Sequence, residues 1–280
     1  MTSLTDDARS LQTFLDNHPR AVVLTGAGIS ASSGIPTYRD AGGHWRASEP
    51  VKHQEFLSDP ARRRRYWARS LAGWPAVRDA RPNPAHFALA RLEKALRIEL
   101  VITQNVDRLH QQAGSRSVID LHGRLDRVRC LDCGTLCSRE IVQRRLGRTG
   151  LAGMARQGDA RPDGDASIPD DQIDHMVVPD CTRCGGVLMP DVVFFGGTVP
   201  RERVTACKEA ILRSDALLAV GTSLQVYSGF RFCRLATQLG KPLVIINPGK
   251  TRADALARLK LSSDCGPLLS QVADHLTASV

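Results

Sequence analysis

Six short apolar runs constrain the fold more than any other feature of this chain. They lie at Ala21–Thr25, Ile98–Thr103, Val118–Leu121, Val192–Phe195, Ala216–Val220 and Leu243–Ile246. They are rich in β-branched residues and continuous rather than alternating, the pattern of strands buried on both faces of a parallel sheet. Helical patterns at Ala85–Leu96, Arg203–Arg213 and Gly229–Leu239 stand between many of them. Strand and helix in alternation imply an α/β fold, a doubly wound Rossmann-like parallel sheet that binds ligands at the carboxyl ends of its strands.

Those carboxyl ends are polar. The first run leads into Thr25-Gly26-Ala27-Gly28-Ile29-Ser30-Ala31. This fits G-x-G-x-x-G/A, in which glycines let backbone approach a pyrophosphate and a helix N-terminus faces it. No clear acidic residue follows at the end of a second strand some 20 residues on, as a dehydrogenase would need. The chain continues instead as Ser33-Gly34-Ile35-Pro36-Thr37-Tyr38-Arg39-Asp40, a polar loop able to close over a nucleotide and a poor start for hydride transfer. Further along stand Thr103-Gln104-Asn105-Val106-Asp107, Leu121-His122-Gly123, Gly221-Thr222-Ser223 and Asn247-Pro248-Gly249. Small residues and amides there suit close contact with ribose and adenine, and the same residues also make tight turns.

Cys130-x-x-Cys133 and Cys181-x-x-Cys184 have the knuckle spacing of structural zinc, and each pair precedes glycine (Gly134; Gly185-Gly186). Four thiolates close a tetrahedral shell and leave no place for an activated water. Cys137 is a nearby rival ligand without a paired partner, while Cys207 and Cys233 read as small apolar helix residues. Disulfides are disfavoured in a long chain with no signal peptide. Between the knuckles, residues 139–148 look helical, and Arg156 to Asp174 is rich in Gly, Asp and Pro, which reads as a long surface excursion. The expected division is a nucleotide-binding Rossmann-like domain of residues 1–40, 85–128 and 188–280. A smaller domain is assembled from insertions 41–84 (helical) and 129–187 (zinc).

A formal net charge of +9 suggests anionic partners. Yet the run Arg62-Arg63-Arg64-Arg65 reads as a solvated helix face, and aromatics at 5% leave little for base stacking. A zinc-containing nucleic-acid-binding protein is thus a remote alternative, and no specific nucleic acid is expected. No apolar run approaches the roughly 18 residues that span a bilayer. The N-terminus, with Asp6, Asp7 and Asp16, resembles neither a secretory signal nor a transit peptide. A cytoplasmic protein without membrane partners is expected.

Taken in order, Gly26-Ala-Gly-Ile-Ser30, Gly34-Ile-Pro-Thr-Tyr-Arg39, Thr103-Gln-Asn-Val-Asp107, His122-Gly123, the two cysteine pairs, Pro190-Asp-Val-Val-Phe-Phe-Gly196, Gly221-Thr-Ser223 and Asn247-Pro-Gly249 resemble the sirtuin family from about Ala21 to Leu269. Finer features resemble its class II branch. These are Arg65-Tyr-Trp-Ala-Arg69, Gly73-Trp-Pro75, Pro82-Asn-Pro-Ala-His86, Asp126-Arg127-Val128, Leu131-Asp-Cys-Gly134, Pro162-Asp-Gly-Asp165 and Leu224-Gln-Val-Tyr-Ser-Gly229. The resemblance implies NAD-dependent removal of an acyl group from protein lysine, with release of nicotinamide and O-acyl-ADP-ribose; mono-ADP-ribosyl transfer to protein is the alternative on the same cofactor. It implies His122 as base, with Asn105 and Asp107 holding ribose and the nicotinamide amide beside Gln104. Gly26, Ala27, Gly28 and Ser30 would meet phosphates and ribose, and Tyr38 and Arg39 the cofactor loop. Gly221, Thr222, Ser223, Asn247, Pro248, Gly249 and Cys265 would line the adenosine end. One structural Zn²⁺ would sit on Cys130, Cys133, Cys181 and Cys184. Val193, Phe194, Phe195 and Gly196 would receive the acylated-lysine protein as an added strand. Tyr66-x-x-Arg69 has the spacing with which some sirtuins bind acidic acyl groups, so Tyr66 and Arg69 are candidates for succinyl- or glutaryl-type substrates, a bidentate guanidinium–carboxylate pair being the physical basis. The same pattern also admits a structural role.

Overall fold

The computed structural model describes residues 3–38, 50–148, 161–166, 168, 173 and 176–278. Its helices are α1 (Leu4–Asn17), α2 (His53–Ser58), α3 (Pro60–Asp79), α4 (Pro84–Lys94), α5 (Leu109–Gln112), α6 (Arg139–Gly147), α7 (Arg201–Arg213), α8 (Tyr227–Gln238) and α9 (Cys265–Thr277). Its strands are β1 (Ala21–Thr25), β2 (Ile98–Thr103), β3 (Val118–Asp120), β4 (Gly123–Cys130), β5 (Leu136–Ser138), β6 (Leu188–Val192), β7 (Ala216–Val220), β8 (Leu243–Ile246) and β9 (Leu259–Leu261).

A six-stranded sheet in the order β3-β2-β1-β7-β8-β9 is parallel throughout. Every residue of β1, β7 and β8 is buried, as continuous apolar runs require. On one face, Leu11, Leu89, Leu92 and Leu268 of α1, α4 and α9 pack on Val23, Val101, Leu218 and Val244. On the other, Ile211, Phe232 and Cys233 of α7 and α8 cover Val22, Leu24, Ile102 and Leu217. The chain moves outward from β1 to β2 and β3, then returns to β7 on the far side of β1. The crevice where strand order reverses therefore opens between β1 and β7, beside Gly26 and Gly221.

A second sheet, β5-β4-β6, is antiparallel. It shares an apolar cluster with α2, α3 and α6 built on Phe56, Tyr66, Trp67, Val128, Val142, Leu188 and Phe194. Here the expectation for Val192–Phe195 fails: Val192 ends β6, which pairs with β4 rather than joining the parallel sheet. Asp191 of β6 is ion-paired with Arg127 and Arg129 of β4, so this run answers to partners 64 and 62 residues upstream in sequence. The outer place in the large sheet goes to β9, only three residues long and interrupted by Lys260, too weak a pattern to stand out. The small sheet draws on residues on both sides of the borders expected at 128 and 188. The excursion between the knuckles is also not wholly superficial: Arg161 and Asp165 are 7% and 5% exposed, packed against α3.

Candidate functional site

The strand ends converge on one cavity of about 820 Å³. Its floor depends on two glycines that touch. Gly28 N–H donates to the Gly221 carbonyl at 2.8 Å. A Cβ on Gly28 would lie 2.7 Å from that oxygen, and one on Gly221 would lie 2.3 Å from Ile29 N. Gly221 also has φ +59°, a left-handed value that disfavours side chains. Any larger residue would push the turns after β1 and β7 apart, so backbone forms the cradle. The turn continues as a 3-10 helix over Ala27–Ser33, closed by Gly34, rather than the α-helix that the glycine pattern predicts.

Gln104, Asn105 and Asp107 are tied to this cradle. Gln104 Nε2 donates to Thr25 O (3.1 Å) and Thr222 Oγ1 (3.0 Å). Asn105 Nδ2 donates to Gly26 O (3.1 Å) and Ser30 Oγ (3.0 Å). Asp107 accepts from Ser30 Oγ (2.7 Å) and from Leu109 N–H (2.9 Å), and burial raises its carboxyl pKa despite those bonds. All three thus hold the glycine turn; Gln104 and Asn105 also line the cavity, whereas Asp107 and Ser30 line a smaller pocket that shares those two residues.

His122 lies between the large sheet and β4. Its Nδ1 is 3.0 Å from the Gln104 carbonyl, which can only accept, so Nδ1 carries the proton. Nε2 is left as the basic nitrogen and receives the Ser228 hydroxyl at 2.7 Å. Burial pulls the ring's pKa down to about 4, against the upward effect of the Gln104 carbonyl, so the imidazole is neutral at pH 7.

Ala27, Tyr38, Thr222, Ser223, Asn247, Pro248, Gly249 and Cys265 line the same cavity. Val193, Phe194, Phe195 and Gly196 line it too, and lie beyond the end of β6; Val193 N–H donates to His122 O, and Phe195 bridges Lys52. Arg39 lies outside the described residues. Ser30 and Asp107 line only the smaller pocket, and Arg69 lines neither. It is 5% exposed and absent from the cavity wall; its guanidinium is paired with Asp165 at 2.7 Å and donates to Ala166 O at 2.9 Å. Tyr66 does line the cavity, against Phe194 at 5.1 Å.

Cys130, Cys133, Cys181 and Cys184 bring their sulfurs within 4.8 Å of one another. The pairs Cys130–Cys184 and Cys133–Cys181 are 3.5 and 3.8 Å apart. A tetrahedron with Zn–S bonds of about 2.3 Å has edges of about 3.8 Å, so the donor set fits Zn²⁺. Cys137 stands outside the cluster. Asp132 accepts from Val187 N–H at 2.8 Å and so joins the two knuckles.

Sequence reasoning missed Ser228, Arg231 and Asp163 as cavity residues. Ser228 and Asp163 stand inside motifs already noted, Leu224–Gly229 and Pro162–Asp165, but their spacing carries no sign that they fold back toward this cavity.

A family model described as the Sir2 family matches residues 26–228. The chain is 51% identical, over 94% of its length and 96% of the other, to an NAD-dependent protein deacetylase 2 of Bradyrhizobium diazoefficiens. It is 45% identical, over 96% of its length and 87% of the other, to the NAD-dependent protein deacylase Sirt4 of Drosophila melanogaster. A solved complex of Sir2, p53 peptide and NAD+ superposes with a TM-score of 0.77 at 32% identity, covering 95% of this chain and 97% of that one.

Proposed function

This chain belongs to the Sir2 family and is an NAD-dependent protein-lysine deacylase, and from that premise we propose that the cavity is its active site with His122 as general base. One observation carries the assignment: a neutral histidine whose tautomer is fixed by a backbone carbonyl, with Nε2 held only by an exchangeable hydroxyl at the wall of the cavity. Bound NAD would supply an electrophilic ribose carbon, the one that carries nicotinamide, to the acyl oxygen of the substrate. Gly26, Ala27, Gly28 and Ser30 would hold its phosphates and ribose. Gly221, Thr222, Ser223, Asn247, Pro248, Gly249 and Cys265 would hold the adenosine end, and Gln104, Asn105 and Asp107 the nicotinamide end. His122 Nε2 takes a proton from a ribose hydroxyl, and the Gln104 carbonyl stabilises the imidazolium through Nδ1–H.

Acylated-lysine proteins are the substrates in this reading, docking by backbone pairing on Val193–Gly196, which belongs to neither sheet. A Zn²⁺ on Cys130, Cys133, Cys181 and Cys184 would hold the small module rigid, its four-thiolate shell leaving no place for chemistry. Separate apolar clusters under the two sheets support a nucleotide-binding domain and a smaller zinc and helical domain, with β4 and β6 assigned to the latter. We place the chain in the class II branch and in the cytoplasm; among the described residues no helix is long and apolar enough to cross a membrane. Incubating the protein with NAD and acyl-lysine peptides, with His122→Ala as control, tests the assignment by product mass. O-acyl-ADP-ribose supports it, whereas ADP-ribose retained on protein, or full turnover by His122→Ala, would refute it.

A further inference from the structure

Arg69, the arginine that the sequence offers to an acidic substrate, is committed to Asp165 at 2.7 Å and lies off the cavity wall. Arg231 on α8 does line the cavity. It has no ion pair and no hydrogen bond among the described residues, and its guanidinium carbon lies 5.3 Å from the centre of the Tyr227 ring. Nε is shut off from solvent, whereas the two Nη nitrogens are not, so the charge can meet a ligand through its Nη edge. Lys250 is the other cation of the wall among the described residues, and it follows Asn247-Pro-Gly249 at the end read as the adenosine site.

Backbone geometry places Arg231 beside the base. It follows Ser228 by three residues and Tyr227 by four, so all three share one face of α8. Ser228 meets His122 Nε2 at 2.7 Å, and the His122 carbonyl accepts from Val193 N–H at 2.8 Å. Arg231 therefore stands one helical turn from the contact with His122, which is itself bonded to the first residue of the docking segment. Gln225, Val226 and Tyr227, which lead into α8, line the cavity as well. Val226 and Tyr227 are 40% and 50% exposed, which makes this stretch the open rim. Arg252, off the cavity wall, fixes the approach by donating from its N–H to Ser223 O at 3.0 Å and from Nη1 to Gln225 O at 3.1 Å.

We propose that Arg231 makes the enzyme prefer substrate proteins with an acidic side chain beside the acylated lysine, its guanidinium pairing with that carboxylate at the cavity rim. This rests on the reading of the cavity as a deacylase site. A half-buried guanidinium without a counter-charge gains most from a carboxylate, which it binds through charge-assisted hydrogen bonds. The rim is where the backbone of a docked peptide runs, whereas its acyl chain points inward, toward the apolar wall of Val106, Leu125, Val192 and Phe194. The carboxylate therefore comes from a neighbouring side chain rather than from the acyl group. A net charge of +9 attracts such acidic segments from a distance.

The test compares kcat/KM for versions of one acetyl-lysine peptide with Glu, Gln or Lys at each position flanking the acyl-lysine. Ratios between peptides on one enzyme do not depend on the folded fraction. At the position that meets Arg231, wild type should favour Glu over Gln by about three- to fivefold, and the ratio should shrink as salt is raised. Arg231→Gln should bring it near one, and Arg231→Glu should reverse the order so that Lys is favoured. Glu-to-Gln ratios that are the same in wild type and Arg231→Gln at every position would overturn the proposal while leaving the deacylase reading intact. So would two other results in Arg231→Gln: a raised KM for NAD with peptide ratios unmoved, which puts the charge on the cofactor, or a shifted succinyl-to-acetyl ratio with the Glu preference unmoved, which puts it on the acyl chain. Folded wild type that deacylates none of the peptides would overturn both readings.

Discussion

The cavity and the packed layer directly behind it each hold histidine, and in both places burial pulls the imidazole far below its ordinary pKa. His122 falls to about 4, His86 to about 4 and His110 to about 3. What differs is the other end of each ring. His122 offers Nε2 to a serine hydroxyl at the cavity wall. His86 and His110 are 0% and 1% exposed and meet edge-on at 4.9 Å. His86 Nδ1 caps the start of α4 by accepting from Asn83 N–H at 3.3 Å, while His110 Nε2 lies 3.0 Å from Thr25 Oγ1. A depressed pKa therefore does not mark a catalytic base in this molecule; a basic nitrogen with a replaceable partner does. The buried pair acts one step back. Thr25 Oγ1 donates to Thr103 Oγ1, which accepts from Asn105 N–H, so the imidazoles prop the loop that lines the cavity.

The largest expected effect separates the two kinds of histidine outright. His122→Ala should lower kcat/KM by about 10²–10⁴-fold, the range for losing a general base, with little change in thermal midpoint. His110→Ala should do the reverse in emphasis: it opens a void and frees Thr25, costing about 2–4 kcal/mol of stability by urea unfolding. If His110→Ala abolished turnover without destabilising the protein, the division between base and prop would be wrong.

Acid offers a smaller and cleaner contrast. A histidine whose folded pKa lies below the unfolded value near 6.5 takes up its proton mainly on unfolding. Stability is full above 6.5 and is lost as pH falls toward the folded value. For His110 that window runs from 6.5 down to about 3, at about 1.4 kcal/mol per pH unit. Asp163, raised to about 7, pulls the opposite way, so the total slope mixes signs. The difference between wild type and His110→Phe isolates the imidazole. Between pH 6 and pH 5 the variant should lose about 1.4 kcal/mol less than wild type in urea titrations. Equal losses would mean that His110 is already protonated in the folded chain.

Much of this site was readable because its chemistry is local. The Gly26–Ser30 turn, Asn105–Asp107, His122 and the two cysteine pairs each declare themselves within a few residues, and continuous apolar runs locate β1, β2, β7 and β8. What escaped depends on partners distant in sequence. Nothing in Val192–Phe195 says that Asp191 will choose Arg127 and Arg129 and end the strand at Val192. Nothing around Tyr66-x-x-Arg69 says that Arg69 will find Ala166 O 97 residues on, with Asp165 beside it. Three-residue β9 carries too little burial to be seen at all, and α5 is entered through its N-cap Arg108 at φ +69°, a turn no apolar pattern predicts.

The smallest predicted effect concerns Ser228. Its hydroxyl donates to the His122 lone pair, a bond available only to the neutral ring, so it holds the pKa of His122 down. The tautomer does not depend on it, because the Gln104 carbonyl fixes the proton on Nδ1. Ser228→Ala should therefore leave the base in place and cut kcat/KM only about two- to fivefold, the worth of one neutral hydrogen bond. The sign lies in the pH profile: without the donor, protonation of Nε2 is easier, and the acid limb of kcat/KM should move to higher pH. Ser228→Thr, which restores a hydroxyl, should move it back. A loss of rate with the limb unmoved would mean that Ser228 acts on substrate rather than through His122. The contrast between the cavity histidine and its buried counterparts would then rest on access alone, with no contribution from the partner at Nε2.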